Sequence, residues 1–138
     1  MDRRTVLTLV GVAVGLPWSL LGCRADDRFP DPDRFVTVGS PHPSPSGDFV
    51  ASVLEGPERD GAATRLVVIT DGAGTEVFRD DREYSTRHGV GVTWLSTGDQ
   101  LWILSGGEAP ASVQPTGGVW RKTSGGAHPV PAEITDLT

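Results

Sequence analysis

The chain is poor in the residues that most protein chemistry depends on. Its 138 residues include one cysteine, one lysine, one tyrosine and one methionine. A lone cysteine, Cys23, excludes an internal disulfide and any zinc site built from several thiolates. Basic residues number 12 against 18 acidic ones, a formal charge of −6. No basic stripe is present to neutralise phosphates, so nucleic acid is not an expected partner. No Gly-x-Ser-x-Gly elbow occurs to carry an acyl-transfer serine. Asp71-Gly72-Ala73-Gly74 superficially suggests a phosphate loop, but no lysine follows it and its flanks read as a hairpin. His42, His88 and His128 lie far apart without metal-ligand spacing, and Asp80-Asp81-Arg82-Glu83 lacks the regular oxygen spacing of a calcium loop. These three histidines and this acidic run read as solvated loop residues, and neither a cofactor nor a metal is expected. A helical bundle is not expected either, because no window keeps a 3.6-residue apolar period over three turns.

What is present begins at the amino terminus. Met1-Asp2-Arg3-Arg4 is a short basic start, and Thr5 to Leu21 follow without a single charged residue. That stretch suits the apolar part of a cleavable export signal and is a poor permanent span. Leu20-Leu21-Gly22-Cys23 then resembles the lipobox of bacterial lipoproteins. The resemblance implies cleavage after Gly22, a thioether-linked diacylglycerol on Cys23 and acylation of the new amino terminus, as with palmitate. It also implies a protein anchored to the outer face of the bacterial cytoplasmic membrane. Two or more acyl chains give stable attachment where one does not. Arg3-Arg4-Thr5-Val6-Leu7 also resembles a twin-arginine signal, although Asp2 and Val6 depart from that pattern, so both this route and the general one fit. Without residues 1–22, 17 acidic and 10 basic residues remain, a charge of −7, so anionic lipid repels the domain and the acyl chains do the anchoring.

Residues 23–34 form a charged, proline-bearing stretch expected to be a flexible tether. From Phe35 to the end at 138 the sequence reads as one all-β domain, with short apolar runs divided by glycine, proline and aspartate. Strands are expected near 35–38, 48–54, 65–70, 75–79, 89–95, 100–105, 117–121 and 128–134, with long loops at 55–64 and 106–117. After residue 34 no helix longer than two turns is expected.

Within these strands the turn signals recur. Ser44-Pro45-Ser46-Gly47-Asp48-Phe49-Val50-Ala51 aligns with Leu95-Ser96-Thr97-Gly98-Asp99-Gln100-Leu101-Trp102, and Leu66 to Gly74 aligns with Gly118 to Gly126. Each half reads as a four-stranded antiparallel β-meander with glycine at the tight turns. These residues resemble the blades of TolB-type propellers, which carry a W-S-P-D-G turn and a D-x-x-G-G hairpin. The aspartate before glycine in that pattern is replaced by Ser46 and Thr97. Two blades do not close a ring, so the resemblance implies a sandwich or an open partial propeller unless subunits complete one another.

Two strands are apolar on both faces: Leu66-Val67-Val68-Ile69 and Leu101-Trp102-Ile103-Leu104. A sheet half open to water alternates instead, so either loops and the tether partly cover these strands or the surplus apolar face meets a partner, an envelope protein or a second copy of the chain. Trp102 and Trp120 are the candidate contact residues. The role expected from this pattern is a non-enzymatic binding or assembly module. The alternative is an enzyme, or an accessory that inhibits one, acting on cell-wall or small-molecule substrates.

Overall fold

The computed structural model describes residues 32–127 and 129–138. The expected cleavage after Gly22, the expected lipid on Cys23 and most of the expected tether fall outside these residues. The described chain is all-β, made of two antiparallel sheets packed as a sandwich. The first sheet has the order β1 (His42–Pro43), β2 (Phe49–Arg59), β3 (Ala62–Asp71), β4 (Glu76–Arg79), and β5 (Tyr84–Ser85) also pairs with β3. The second runs β6 (Val90–Trp94), β7 (Leu101–Ser105), β8 (Ala111–Thr116), β9 (Val119–Thr123). From β1 to β4 and from β6 to β9 neighbours in sequence are neighbours in space, so each path is a meander, and β5 returns to pair with β3. A single turn of helix, α1 (Ala132–Thr135), follows.

The stretches expected to be loops contain most of the surprise. Residues 55–64 are the ends of β2 and β3, joined at Asp60-Gly61, where both residues have positive φ (53° and 78°). That is the type I′ geometry whose twist matches the flanking strands, and Asp-Gly is a sequence that adopts it. Residues 106–117 contain β8, which runs into the same kind of turn at Gly117-Gly118 (φ 63° and 84°). Pro115 argues against a strand there. Counting outward from the hydrogen-bonded Thr116–Val119 pair, the Pro115 nitrogen faces away from β9, and on that side β7 pairs only as far as Val113.

The ends of the domain depart from expectation in the opposite sense. Residues 35–38 make isolated bridges, with the Val36 N–H donating to the Val92 carbonyl at 2.8 Å and Val38 lying parallel to Val53. This segment therefore links the β6 edge of one sheet to the β2 edge of the other. Within the expected strand 128–134, the described residues are irregular and then helical. Pro129 and Pro131 supply no N–H to a ladder, and the Pro131 carbonyl instead accepts from Ile134 and Thr135 at 2.9 and 3.0 Å.

The inner faces form one core: Ala51, Val53, Val67 and Ile69 from the first sheet meet Val92, Trp94, Leu101, Ile103, Val113 and Trp120 from the second. A smaller core lies on the outer face of the second sheet. There Trp102 and Leu104 are covered by Phe35, Ile134 and Leu137, with Leu95 and Val130 at the margin. The doubly apolar β7 is thus buried on both sides by its own chain. Arg34, assigned to the tether from sequence, is in fact the clamp on this cover. Its Nε donates to Thr93 Oγ1 at 2.9 Å, and its Nη2 bonds the Trp94 carbonyl at 3.0 Å and Glu133 Oε2 at 2.5 Å. Glu133 also accepts from the Ser96 N–H and hydroxyl at 3.1 and 2.9 Å. Burial opposes the Glu133 charge, but the bonds from Arg34 and Ser96 outweigh it and hold the carboxyl below its usual range.

Candidate functional site

The side chains with the most chemistry meet at the seam where β4 lies beside β9. Asp80 leaves β4 and its side chain is fully buried. Lys122 of β9, the sole lysine, puts Nζ 3.0 and 3.1 Å from the two Asp80 oxygens and 2.6 Å from the Tyr84 hydroxyl. The Tyr84 hydroxyl donates to Asp80 Oδ2 at 2.9 Å, and the Arg82 N–H donates to Oδ1 at 3.1 Å. Above the ring, the Arg82 guanidinium sits 4.6 Å from the Tyr84 centroid and makes a two-pronged contact with Glu108, both bonds 2.7 Å. Burial, then the neighbouring Asp80 charge, pushes the Tyr84 phenol far above its ordinary range. A phenol so disposed stays protonated at neutral pH and serves as a donor. Every member of the cluster is satisfied by another member, which makes it a clasp between sheets.

This clasp corrects the reading of Asp80-Asp81-Arg82-Glu83 as a solvated run. Asp80 is buried, Glu83 pairs with Arg59 at 2.6 Å, and Asp81 is exposed. The signal that could have revealed it is the scarcity of lysine and tyrosine, because the sole copy of each lies here. Among the described residues no group of three or more His, Cys, Asp or Glu is placed to hold a metal ion. His42 lies in β1, where its carbonyl accepts from Trp94 Nε1 at 2.9 Å, and His88 is exposed at the end of a short 3-10 turn. His128 lies outside the described residues.

The open site is at the turn end of the sandwich. There the β1–β2 turn, the β3–β4 turn and the Gly117-Gly118 turn surround a groove of about 780 Å³. Phe49, Val77 and Trp120 line it, Pro115 and Val119 form one lip, and Asp48 and Asp71 form the acidic rim. Phe49 and Trp120 meet edge to face with centroids 4.9 Å apart, and Trp94 backs Trp120 at 6.2 Å. Val119, 52% exposed, is the most exposed of the large apolar residues. The turns are themselves fixed. Asp71 Oδ1 accepts the N–H groups of Ala73 and Thr75, both at 2.9 Å, and the Ser46 hydroxyl donates to Asp99 Oδ2 at 2.6 Å. The last bond ties together the two turns that the sequence alignment paired. Gly47 and Gly98 occupy the first hairpin of each sheet. Gly74 and Gly126 are not so matched: Gly74 closes the third hairpin of its sheet, where the second sheet has Gly117-Gly118, whereas Gly126 follows β9.

The two candidate contact residues therefore have different fates. Trp102 is 2% exposed beneath the C-terminal segment, with its Nε1 donating to Gln100 Oε1 at 2.8 Å. It presents no surface to a partner in this conformation, because the face expected to be spare is covered by α1. Trp120 is largely buried, yet its ring forms the wall of the groove. Phe49 and Val119 were missed as site residues because nothing local distinguishes them from ordinary strand residues. Comparison of the chain with protein-family models, with curated proteins and with solved structures gives no match, so its function is read from the residues above.

Proposed function

We propose that this protein is a binding module of the bacterial envelope, lipid-anchored through Cys23, whose turn-end groove takes an extended segment of another envelope protein. The observation that carries the reading is the groove itself, an apolar wall of Phe49, Val77, Val119 and Trp120 under an acidic rim of Asp48 and Asp71. Such a site suits a chain that places apolar side chains inward and a basic side chain against the rim. The rigid sheets hold the wall, and tight turns with internal hydrogen bonds hold the rim. The groove is therefore formed before any partner arrives, which lowers the ordering cost of binding. The role is assembly or recruitment and not turnover, since the buried Asp80–Tyr84–Lys122 cluster spends its polar atoms on itself.

The test is calorimetric titration of the full chain with extended peptides alternating leucine and lysine, against the same peptides with glutamate in place of lysine. The lysine peptides are expected to bind, and Val119→Lys and Asp48→Lys should each weaken them by about tenfold. Equal binding of both peptide series, or indifference to both substitutions, would overturn the proposal.

A further inference from the structure

A second cavity, of about 430 Å³, opens at the other seam, where residues 36–38 bridge the sheets. Five valines line most of it: Val36, Val53 and Val92 are buried, Val90 is half-buried, and Val38 is 41% exposed at the mouth, with Thr37 and Thr86 completing the wall. One cation lines it, Arg65 of β3. Position 65 shares the inward face of β3 with Val67 and Ile69, so this guanidinium lies at the open end of the apolar inter-sheet space. Among the described residues its side chain makes one hydrogen bond, from Nη1 to the Thr64 carbonyl at 3.1 Å. Glu55 is its cross-strand neighbour on β2, yet no salt bridge joins Arg65 to any carboxylate among the described residues. Arg34, the other half-buried arginine among the described residues, is by contrast engaged with Glu133.

From this arrangement we infer a small-ligand site for an aliphatic chain bearing a single anionic head. The chain fills the valine-lined space and the head meets Arg65, whose planar fork matches a carboxylate or phosphate in two-pronged fashion. The volume falls within the range of sites for small organic molecules, and the composition is the usual one of mainly apolar walls with a few polar groups, of which Arg65 alone is charged. The charge of the domain sharpens the assignment. In a chain of net charge −6, a half-buried cation with no carboxylate partner among the described residues, set over a largely apolar cavity, is the place where an anionic amphiphile is least repelled. This site lies apart from the turn-end groove and shares no lining residue with it.

The experiment follows valine methyl resonances of the full chain during titration with octanoate, octyl phosphate, octylamine and octanol. Octanoate or octyl phosphate should shift the methyls of Val36, Val38, Val53, Val90 and Val92 saturably, and the tighter of the two identifies the head group. Arg65→Gln should weaken that binding by about tenfold, the worth of a charge-assisted hydrogen bond. Val38→Asp, a substitution at an exposed position that leaves the core intact, should abolish it. The proposal is overturned if octylamine or octanol shifts these methyls as strongly as the anions do. It is overturned equally if neither anion shifts them, or if Arg65→Gln binds as the native chain does.

Discussion

Replacing Lys122 by methionine probes what holds the two sheets in register. The substitution keeps the aliphatic stem and removes the ammonium, leaving the fully buried Asp80 carboxylate with only the Arg82 N–H and the Tyr84 hydroxyl as donors. Removing one partner of a buried pair costs about 3–5 kcal/mol, because the remaining charge is stranded away from water. Two donors persist here and Lys122 is itself 18% exposed, so the lower end, about 3 kcal/mol, is expected. Against a typical total of about 5–15 kcal/mol that is a large fraction. Urea denaturation of the full chain, followed by far-UV circular dichroism, should show the midpoint falling with little change in slope. Adding Asp80→Asn to the variant should recover part of the loss, because it removes the stranded charge. A loss under about 1 kcal/mol would refute the reasoning, since that is the worth of an exposed ion pair. So would a double variant no more stable than Lys122→Met alone.

Other consequences are equally direct. Gly118→Val places a β-branched residue at φ 84° in the β8–β9 turn; nothing lies near enough to clash, so the loss of about 1–2 kcal/mol in thermal denaturation comes from backbone strain alone. Acid should loosen the C-terminal cover. The Glu133 carboxyl, whose bonds from Arg34 and Ser96 outweigh the burial that opposes its charge, is held below its usual range. Its contribution is therefore complete above the unfolded value of about 4.3 and is lost as pH falls through the folded one. Hydrogen exchange at Ile134 and Leu137 should accelerate in that interval, and in Glu133→Gln the same amides should be insensitive to it. Cys23→Ala should leave the chain without incorporated palmitate label and free of membranes, while normal labelling and attachment would end the anchoring proposal.

Much of the architecture was legible because it rests on local rules. Period-2 runs and glycine turns gave the two meanders, and the Ser46-Gly47 and Thr97-Gly98 signals marked equivalent hairpins that touch through Asp99. What stayed hidden is decided by distance in sequence. Proline at 115 argues against a strand unless one knows that β7 stops short of it. The apolar outer face of β7 reads as an interface unless one knows that Ile134 and Leu137 fold back onto Trp102 and Leu104. The Asp80–Lys122 pair spans 42 positions, and no local pattern announces it. Trp120 was singled out from the sequence and lines the groove, but Phe49 and Val119 gain their place only from the turn that sets β9 opposite the start of β2.

The binding groove is tested most directly through the indole N–H resonances of the full chain during titration with a leucine–lysine peptide. Trp120 forms the groove wall, whereas Trp102 lies under the C-terminal cover on the opposite face of its sheet. The expected result is a saturable shift of the Trp120 resonance, with a smaller one at Trp94 behind it and none at Trp102. A shift at Trp102 with Trp120 unmoved would place the partner on the covered outer face and contradict the groove as the binding site.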